Sequence, residues 1–316
     1  MTHDSRQGVL GLGLALFSAA TFGTSGTFAD SLMATGWSPG AVVTFRITIA
    51  ALLLTVPGVH ALRGRWHLLR SGLPSVLAFG FVAVAGCQVC FFNAVQRLDV
   101  GVALLLEYSG ILFVVVFLWL RHNQRPRKLT VIGGVAALAG LVLVLNPGTG
   151  GIDALGVFWG LLAGTGLAVY FVLSSKSDDS LPPIAMAWAA MVVGAVTLIV
   201  LDLVRVLPFE MHTSNVVLLH DSVNWVVPVI GLALVAAAVA YAAGIAAARM
   251  LGAKVASFVG LTEVLFAVLI AWALLGQALH ALQLLGGLVV LLGIALVRAD
   301  DTSVDVAPSE PELVQA

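Results

Sequence analysis

Three charged side chains stand where a lipid bilayer would have to enclose them. Arg46 lies midway along one apolar run, Glu107 part-way down another in the stretch VALLLEYSG, and Glu263 within a third. A charge at membrane depth costs about 3 to more than 10 kcal/mol unless it faces a cavity or a partner. The chemistry open to these groups is ion pairing and proton exchange. Arg46 can neutralise either glutamate or attract a substrate carboxylate; a glutamate can hold a proton or a substrate amine. Glu107 finds no partner among its neighbours Ala103, Ser109 and Gly110. Lost hydration favours its neutral form and a nearby guanidinium its charged form. Two roles therefore stay open, a proton-coupling group and a fixed anchor for Arg46.

Uncharged groups extend the set. Gln88 and Asn93 share a run with Cys87 and Cys90. Amides in lipid bond across helices or line a path. Tyr108 beside Glu107, and Tyr241, can donate hydroxyls into a cavity; Trp159 and Tyr170 share another run. Each also fits plain helix packing. Cys87 and Cys90 have no histidine or second cysteine pair nearby, so they read as small packing residues rather than zinc ligands. No phosphate loop of the G-x-x-x-x-G-K-[ST] type occurs, nor H-E-x-x-H or G-x-S-x-G, which removes ATP and the common hydrolytic centres. Asp202, near the end of a run, is expected to reach water. The candidate substrate- or ion-binding residues are Arg46, Gln88, Asn93, Glu107, Tyr108, Trp159, Tyr241 and Glu263, with no cofactor or metal.

The elements that must position these residues are set by composition. Of 316 residues, 60% are hydrophobic, and only 15 are basic and 16 acidic. That is too little charge to cover a soluble domain and the opposite of a disordered one. A net charge of −1 offers no field for nucleic acid. Apolar runs occupy about 9–29, 39–57, 72–95, 100–120, 129–145, 154–173, 182–204, 224–247, 255–275 and 281–297. Most match the roughly 20 residues that cross a bilayer as a helix, and their continuous apolarity excludes a barrel. The fold class is thus an all-α polytopic membrane protein of ten transmembrane helices. Trp37, Trp119 and Trp225 read as interface anchors.

Charge between the runs fixes orientation. With a cytoplasmic N-terminus, twelve basic residues face the cytoplasm and only Arg97 and Arg205 face away. This positive-inside bias predicts a multi-pass protein of the inner (plasma) membrane with both termini cytoplasmic. The stretch 299–316, with Asp300, Asp301, Asp305, Glu310 and Glu312, reads as a disordered acidic tail. The loop from Arg205 to Val223 is too short to fold alone, and its His212, His220 and Asp221 read as ordinary loop residues.

The chain also repeats. An offset of 153 places Leu112 on Leu265, Phe113 on Phe266, Trp119 on Trp272 and Gln124 on Gln277. The same offset puts Gly133, Gly134 and Gly140 on Gly286, Gly287 and Gly293. Two halves of five runs, 8–145 and 154–298, would lie in opposite orientations, an inverted-topology repeat suited to alternating access. Glu263 falls on Gly110 rather than on Glu107, so the two acids are not equivalent.

The stretch LDVGVALLLEYSGILFVVVFLWLRHNQRP, from Leu98 to Pro126, resembles the fourth span and following loop of the EamA family in the drug/metabolite transporter superfamily. Residues 253–295 are similar to its ninth and tenth spans. The resemblance covers nearly all of 8–298 and is closest to bacterial amino-acid exporters. It implies a secondary carrier, often an exporter, with a central cavity; a monomer and a homodimer are both open. The substrate it implies is an amino acid or related small polar metabolite; protons are the coupling ion in the case where Glu107 titrates. The alternatives are a translocase for lipids or lipid-linked metabolites, which would make membrane lipid the partner handled, and an integral membrane enzyme.

Overall fold

The computed structural model describes residues 3–98, 100–145, 153–176, 181–218, 221–275 and 280–305. Among these, nine helical stretches are long and apolar enough to cross a membrane. We number them as spans: span 1 Gln7–Met33, span 2 Pro39–Ala61, span 3 Leu73–Val95, span 4 Val100–His122, span 5 Lys128–Leu145, span 6 Ala154–Ser174 and span 7 Pro183–Leu203. Span 10 is Ala281–Asp300, and one longer stretch, Val226–Gly260, has 35 residues. A straight helix of that length would extend about 52 Å, far beyond a hydrocarbon core of about 30 Å. It is not straight: Gly252 has φ 74° and ψ 163°. That left-handed backbone suits glycine and ends a helix. The chain turns there between Arg249 and Lys254, leaving 226–251 as span 8. Residues 253–275 continue through the short apolar helix at Thr262 and are numbered span 9, which gives ten apolar stretches among the described residues.

Local chemistry fixes several ends. Pro39 opens span 2 behind Ser38, whose side chain accepts the Ala41 N–H at 3.3 Å. Asp153 caps span 6 by accepting from Leu155 N–H at 3.2 Å. Span 4 ends on Asn123 in the left-handed conformation, φ 54°. Single-cysteine labelling at Arg63–Arg70 and at Arg121–Lys128 should report the same, cytoplasmic face. Opposite faces at these two stretches would break the ten-crossing topology.

Several spans are interrupted inside the membrane. Span 1 breaks between Gly23 and Ser25, span 4 between Tyr108 and Gly110, and span 9 between Gly260 and Thr262. At the offset of 153 the last two breaks fall one residue apart, and the hydroxyl residues beside them, Ser109 and Thr262, coincide. Ser109 Oγ donates to the Leu106 carbonyl at 2.6 Å, and Thr262 Oγ1 to the equivalent Val259 carbonyl at 2.7 Å. Spans 3 and 8 each carry a π-helical segment, Phe79–Gly86 and Leu234–Val239. Such a segment leaves the i→i+4 ladder and is often found at functional sites.

Packing follows the glycines. Span 5 lies antiparallel to span 10: a methyl group on Gly133 would come within 2.6 Å of the Gly293 carbonyl oxygen, and one on Gly140 within 2.6 Å of the Gly286 oxygen. Span 2 packs on span 7, with Gly58 against Trp188, and on the loop that follows it, with Gly40 against the Pro208 carbonyl. Span 1 packs on spans 8 and 9, while span 6 packs on spans 3 and 4. Small residues allow this close approach where no hydrophobic force separates helix from lipid.

The loop after span 7 folds onto the turn between spans 1 and 2. Its strands β1 (Val216–Leu218) and β2 (Asp221–Val223) pair antiparallel, Val216 opposite Val223. Trp37 Nε1 donates to the His212 carbonyl at 2.7 Å, and Ser38 Oγ to the Pro208 carbonyl at 2.7 Å. Trp37 is 2% exposed. It is therefore a core residue beneath this loop and not an anchor among headgroups, because the loop supplies both its acceptor and its cover. His220 lies outside the described residues. At the other end the helix of span 10 runs on to Asp305, where the sequence reading starts a disordered tail at 299. Asp300 is 3% exposed and accepts a hydrogen bond from Thr130 of span 5. Residues 306–316, the rest of that tail, lie outside the described residues.

Candidate functional site

The interruptions converge on a cavity. Span 1 contributes Ser18, Phe22 and Ser25; span 2, Arg46; span 3, Cys87, Gln88 and Phe91; span 4, Glu107 and Tyr108. Span 6 adds Tyr170 and Phe171, span 8 Tyr241 and Gly244, and span 9 Gly260 and Glu263. The space is about 200 Å³. It joins a larger chamber of about 480 Å³ through shared walls at Ser25, Arg46, Gln88, Tyr108 and Glu263. That chamber extends past Asp30, Met33, Val100, Leu145 and Gln283, at the end of the bundle away from the N-terminus. Asp30, Met33 and Val100 are exposed there.

The three intramembrane charges all reach this space, as do all three tyrosines of the chain. Glu107 stands two residues before the break in span 4 and Glu263 just after that in span 9. Each break releases backbone polar groups that a continuous helix would hide, which is tolerable where the backbone borders a cavity. The Cys87 thiol lies 3.3 Å from Glu107 Oε1 and 3.4 Å from the Ala163 carbonyl. The Tyr108 hydroxyl is placed to donate to the Glu263 carboxylate.

Arg46 does not form an ion pair with either acid. Its Nη2 instead donates to the Ala236 carbonyl at 2.6 Å, inside the π-helical segment of span 8. Its guanidinium also stands 5.9 Å from the Phe22 ring centre. The acceptor lies in the π segment, and a carbonyl oxygen has a second lone pair with which to accept a side-chain donor. Both acids and the arginine remain within electrostatic reach of one another.

Aromatic rings line the rest. Tyr241 meets Phe22 edge-on at 5.1 Å and Tyr170 at 5.5 Å, and Tyr170 meets Phe79 at 5.4 Å. Gly244 makes room for the Tyr170 hydroxyl, which a methyl group there would overlap.

The structure brings together six of the eight sequence candidates: Arg46, Gln88, Glu107, Tyr108, Tyr241 and Glu263. Asn93 is not among the lining residues; its amide donates to the Val89 carbonyl one turn back, at 2.8 Å. Trp159 packs edge-on against Phe158 at 5.6 Å and is also absent from the lining. Ser18, Phe22, Ser25 and Phe91 are wall residues that sequence reasoning did not single out. The first three carried a signal, since 18, 22 and 25 fall on one face of a helix. Among the described residues, no group of three or more His, Cys, Asp or Glu side chains could hold a metal ion.

Comparison with known proteins fits this architecture. The model of the EamA-like transporter family matches the chain twice, over residues 9–146 and 154–299. An uncharacterized transporter of Archaeoglobus fulgidus is 26% identical over 224 residues, 71% of this chain and 75% of the relative. An uncharacterized transporter of Synechocystis sp. is 23% identical over 221 residues, 68% of this chain and 64% of the relative. A protein known from a crystal structure shares the fold at a TM-score of 0.73 and 17% identity, covering 91% of this chain and 96% of the other. The chain is thus a multi-pass membrane carrier of small polar solutes rather than an enzyme, and it belongs to the EamA-like transporter family of the drug/metabolite transporter superfamily.

Proposed function

We propose that this carrier is a secondary exporter of amino acids or closely related small polar metabolites, driven by proton exchange through alternating access. The observation that carries the reading is the central cavity, where one guanidinium and two carboxylates meet among hydroxyls and aromatic rings. A zwitterion needs an anion-binding and a cation-binding group at short range, and Arg46 with Glu107 or Glu263 supplies both. The aromatic walls accept an apolar side chain and shield the pair from water.

Alternating access requires two related halves, 8–145 and 154–298, in opposite orientation. The helix pairs support it: exchanging each span for the one five places along turns the pairing of span 1 with spans 8 and 9 into that of span 6 with spans 3 and 4. The pairs 2·7 and 5·10 map onto themselves. With both termini in the cytoplasm, the larger chamber faces outward. An outward-facing carrier in this state releases substrate and receives a proton. The test is a counterflow screen in proteoliposomes with amino acids, nucleosides and lipid precursors. Exchange of an amino acid or related zwitterion is the expected result. Turnover of a lipid with no exchange of any solute would overturn the reading in favour of a lipid translocase.

A further inference from the structure

Spans 2 and 7 enclose a second group of polar side chains that the cavity does not use. Asp202 stands one residue before the end of the Pro183–Leu203 helix. The sequence suggests that it reaches water, but both carboxylate oxygens are buried and neither completes a hydrogen bond. Opposite it on span 2, Thr44 is 6% exposed. Its hydroxyl lies within polar reach of the carboxylate, yet it too lacks a formed hydrogen bond. One turn further along span 2, the Thr48 hydroxyl is likewise buried and without a partner.

The stripe containing these threonines faces span 7. Gly40 abuts the Pro208 carbonyl, and Thr55 accepts from Trp188 Nε1 at 3.2 Å. Positions 44 and 48 fall on the same helical face between those contacts. A helical threonine ordinarily satisfies itself by donating one turn back, as Thr55 does to Ala51 at 2.8 Å and Thr197 to Val193 at 2.8 Å. Thr44 and Thr48 do not. No basic side chain forms an ion pair with Asp202 among the described residues. Buried polar atoms without partners are rare and point to an absent ion or water, and a carboxylate out of water without a counter-charge is costly.

The orphaned atoms are all oxygens, two anionic and two hydroxylic, with no nitrogen among them. Oxygen donors suit hard cations, and a single carboxylate balances one positive charge, which favours a monovalent ion over calcium or magnesium. We propose that Asp202, Thr44 and Thr48 bind a single alkali-metal cation between spans 2 and 7. An ion there would join the two segments matched by the family, on a part of span 2 that also carries Arg46 two residues from either threonine.

Thermal unfolding of the purified full-length protein tests this, with sodium or potassium chloride titrated against choline chloride at constant ionic strength. A saturable rise in Tm with one of the alkali cations, absent with choline, is expected. D202N should abolish the rise. T44V, which keeps the carboxylate, should raise the midpoint concentration about tenfold, and E107Q should leave it unchanged. Radiolabelled sodium or rubidium should bind wild type at one ion per chain. Identical curves in sodium, potassium and choline would overturn the site, as would a cation response that survives in both D202N and T44V. A response to pH with none to any alkali cation would identify a protonated Asp202 instead.

Discussion

Glu107→Gln is expected to abolish gradient-driven substrate accumulation while leaving substrate-for-substrate exchange intact. Glutamine keeps the shape of the side chain and its acceptor for the Cys87 thiol, but it cannot take up and release a proton. In one-for-one exchange, a pH difference of one unit sustains about a tenfold substrate gradient, equivalent to about 1.4 kcal/mol. The variant should hold no gradient at all. The competing role, an anchor for Arg46, predicts a folding defect instead, because it would leave a guanidinium without its counter-ion. The structure weakens that alternative: Arg46 donates to Ala236 at 2.6 Å and makes no ion pair with Glu107. The measurement is proteoliposome uptake with and without a pH gradient, beside counterflow in the same vesicles. Wild-type accumulation by a well-folded E107Q protein would exclude the coupling role and direct attention to Glu263.

Gly110→Ala should be the most destabilising single methyl addition in the bundle. Gly110 follows the break in span 4, where a methyl group would collide with the Gly164 carbonyl oxygen of span 6. The obstacle is backbone, and Gly164 is itself hemmed in by the Leu106 and Glu107 carbonyls. Neither helix can yield without moving Glu107. Overpacking usually costs about 1–3 kcal/mol, and a collision with fixed backbone belongs at or above the top of that range. Gly13→Ala is the control, since nothing stands within 4 Å of its added methyl. There the gain in helix propensity, about 0.5–1 kcal/mol, should leave stability equal or higher. Thermal unfolding in detergent compares the two. Equal Tm values would mean that spans 4 and 6 are not packed as closely as described.

The crossings were legible because lipid forces long uniform runs, and the turn at Gly252 because Arg249 and Lys254 flank it. The breaks at Thr24, Ser109 and Leu261 were not, since each changes a few backbone bonds without changing composition. The π segments are equally silent, as their residues are ordinary apolar ones. Charges were informative because their cost in lipid demands a reason, and Arg46, Glu107 and Glu263 do share a cavity. Polar and aromatic residues carry a weaker demand. Asn93 is five residues from Gln88, about 140° around a helix, so the two do not face one space. Trp159 lies on nearly the same face as Tyr170 but eleven residues away, about 16 Å along the axis and beyond the cavity. Arg46 ending on a backbone carbonyl was invisible in sequence, because every residue offers such an acceptor and only the packing of span 2 on span 8 selects Ala236.

The glycine contact between spans 5 and 10 has a consequence for assembly. Gly133 meets Gly293 and Gly140 meets Gly286, and the repeat offset carries Gly293 back to Gly140 and Gly286 back to Gly133. Such a surface is self-complementary, with residue i on j and j on i about a two-fold axis. A free first half would therefore fit a second copy of itself lying antiparallel in the same bilayer, Gly133 of each against Gly140 of the other. In the inverted-repeat arrangement proposed above, covalent linkage of the two halves would replace that encounter between oppositely inserted chains with one that every molecule makes within itself.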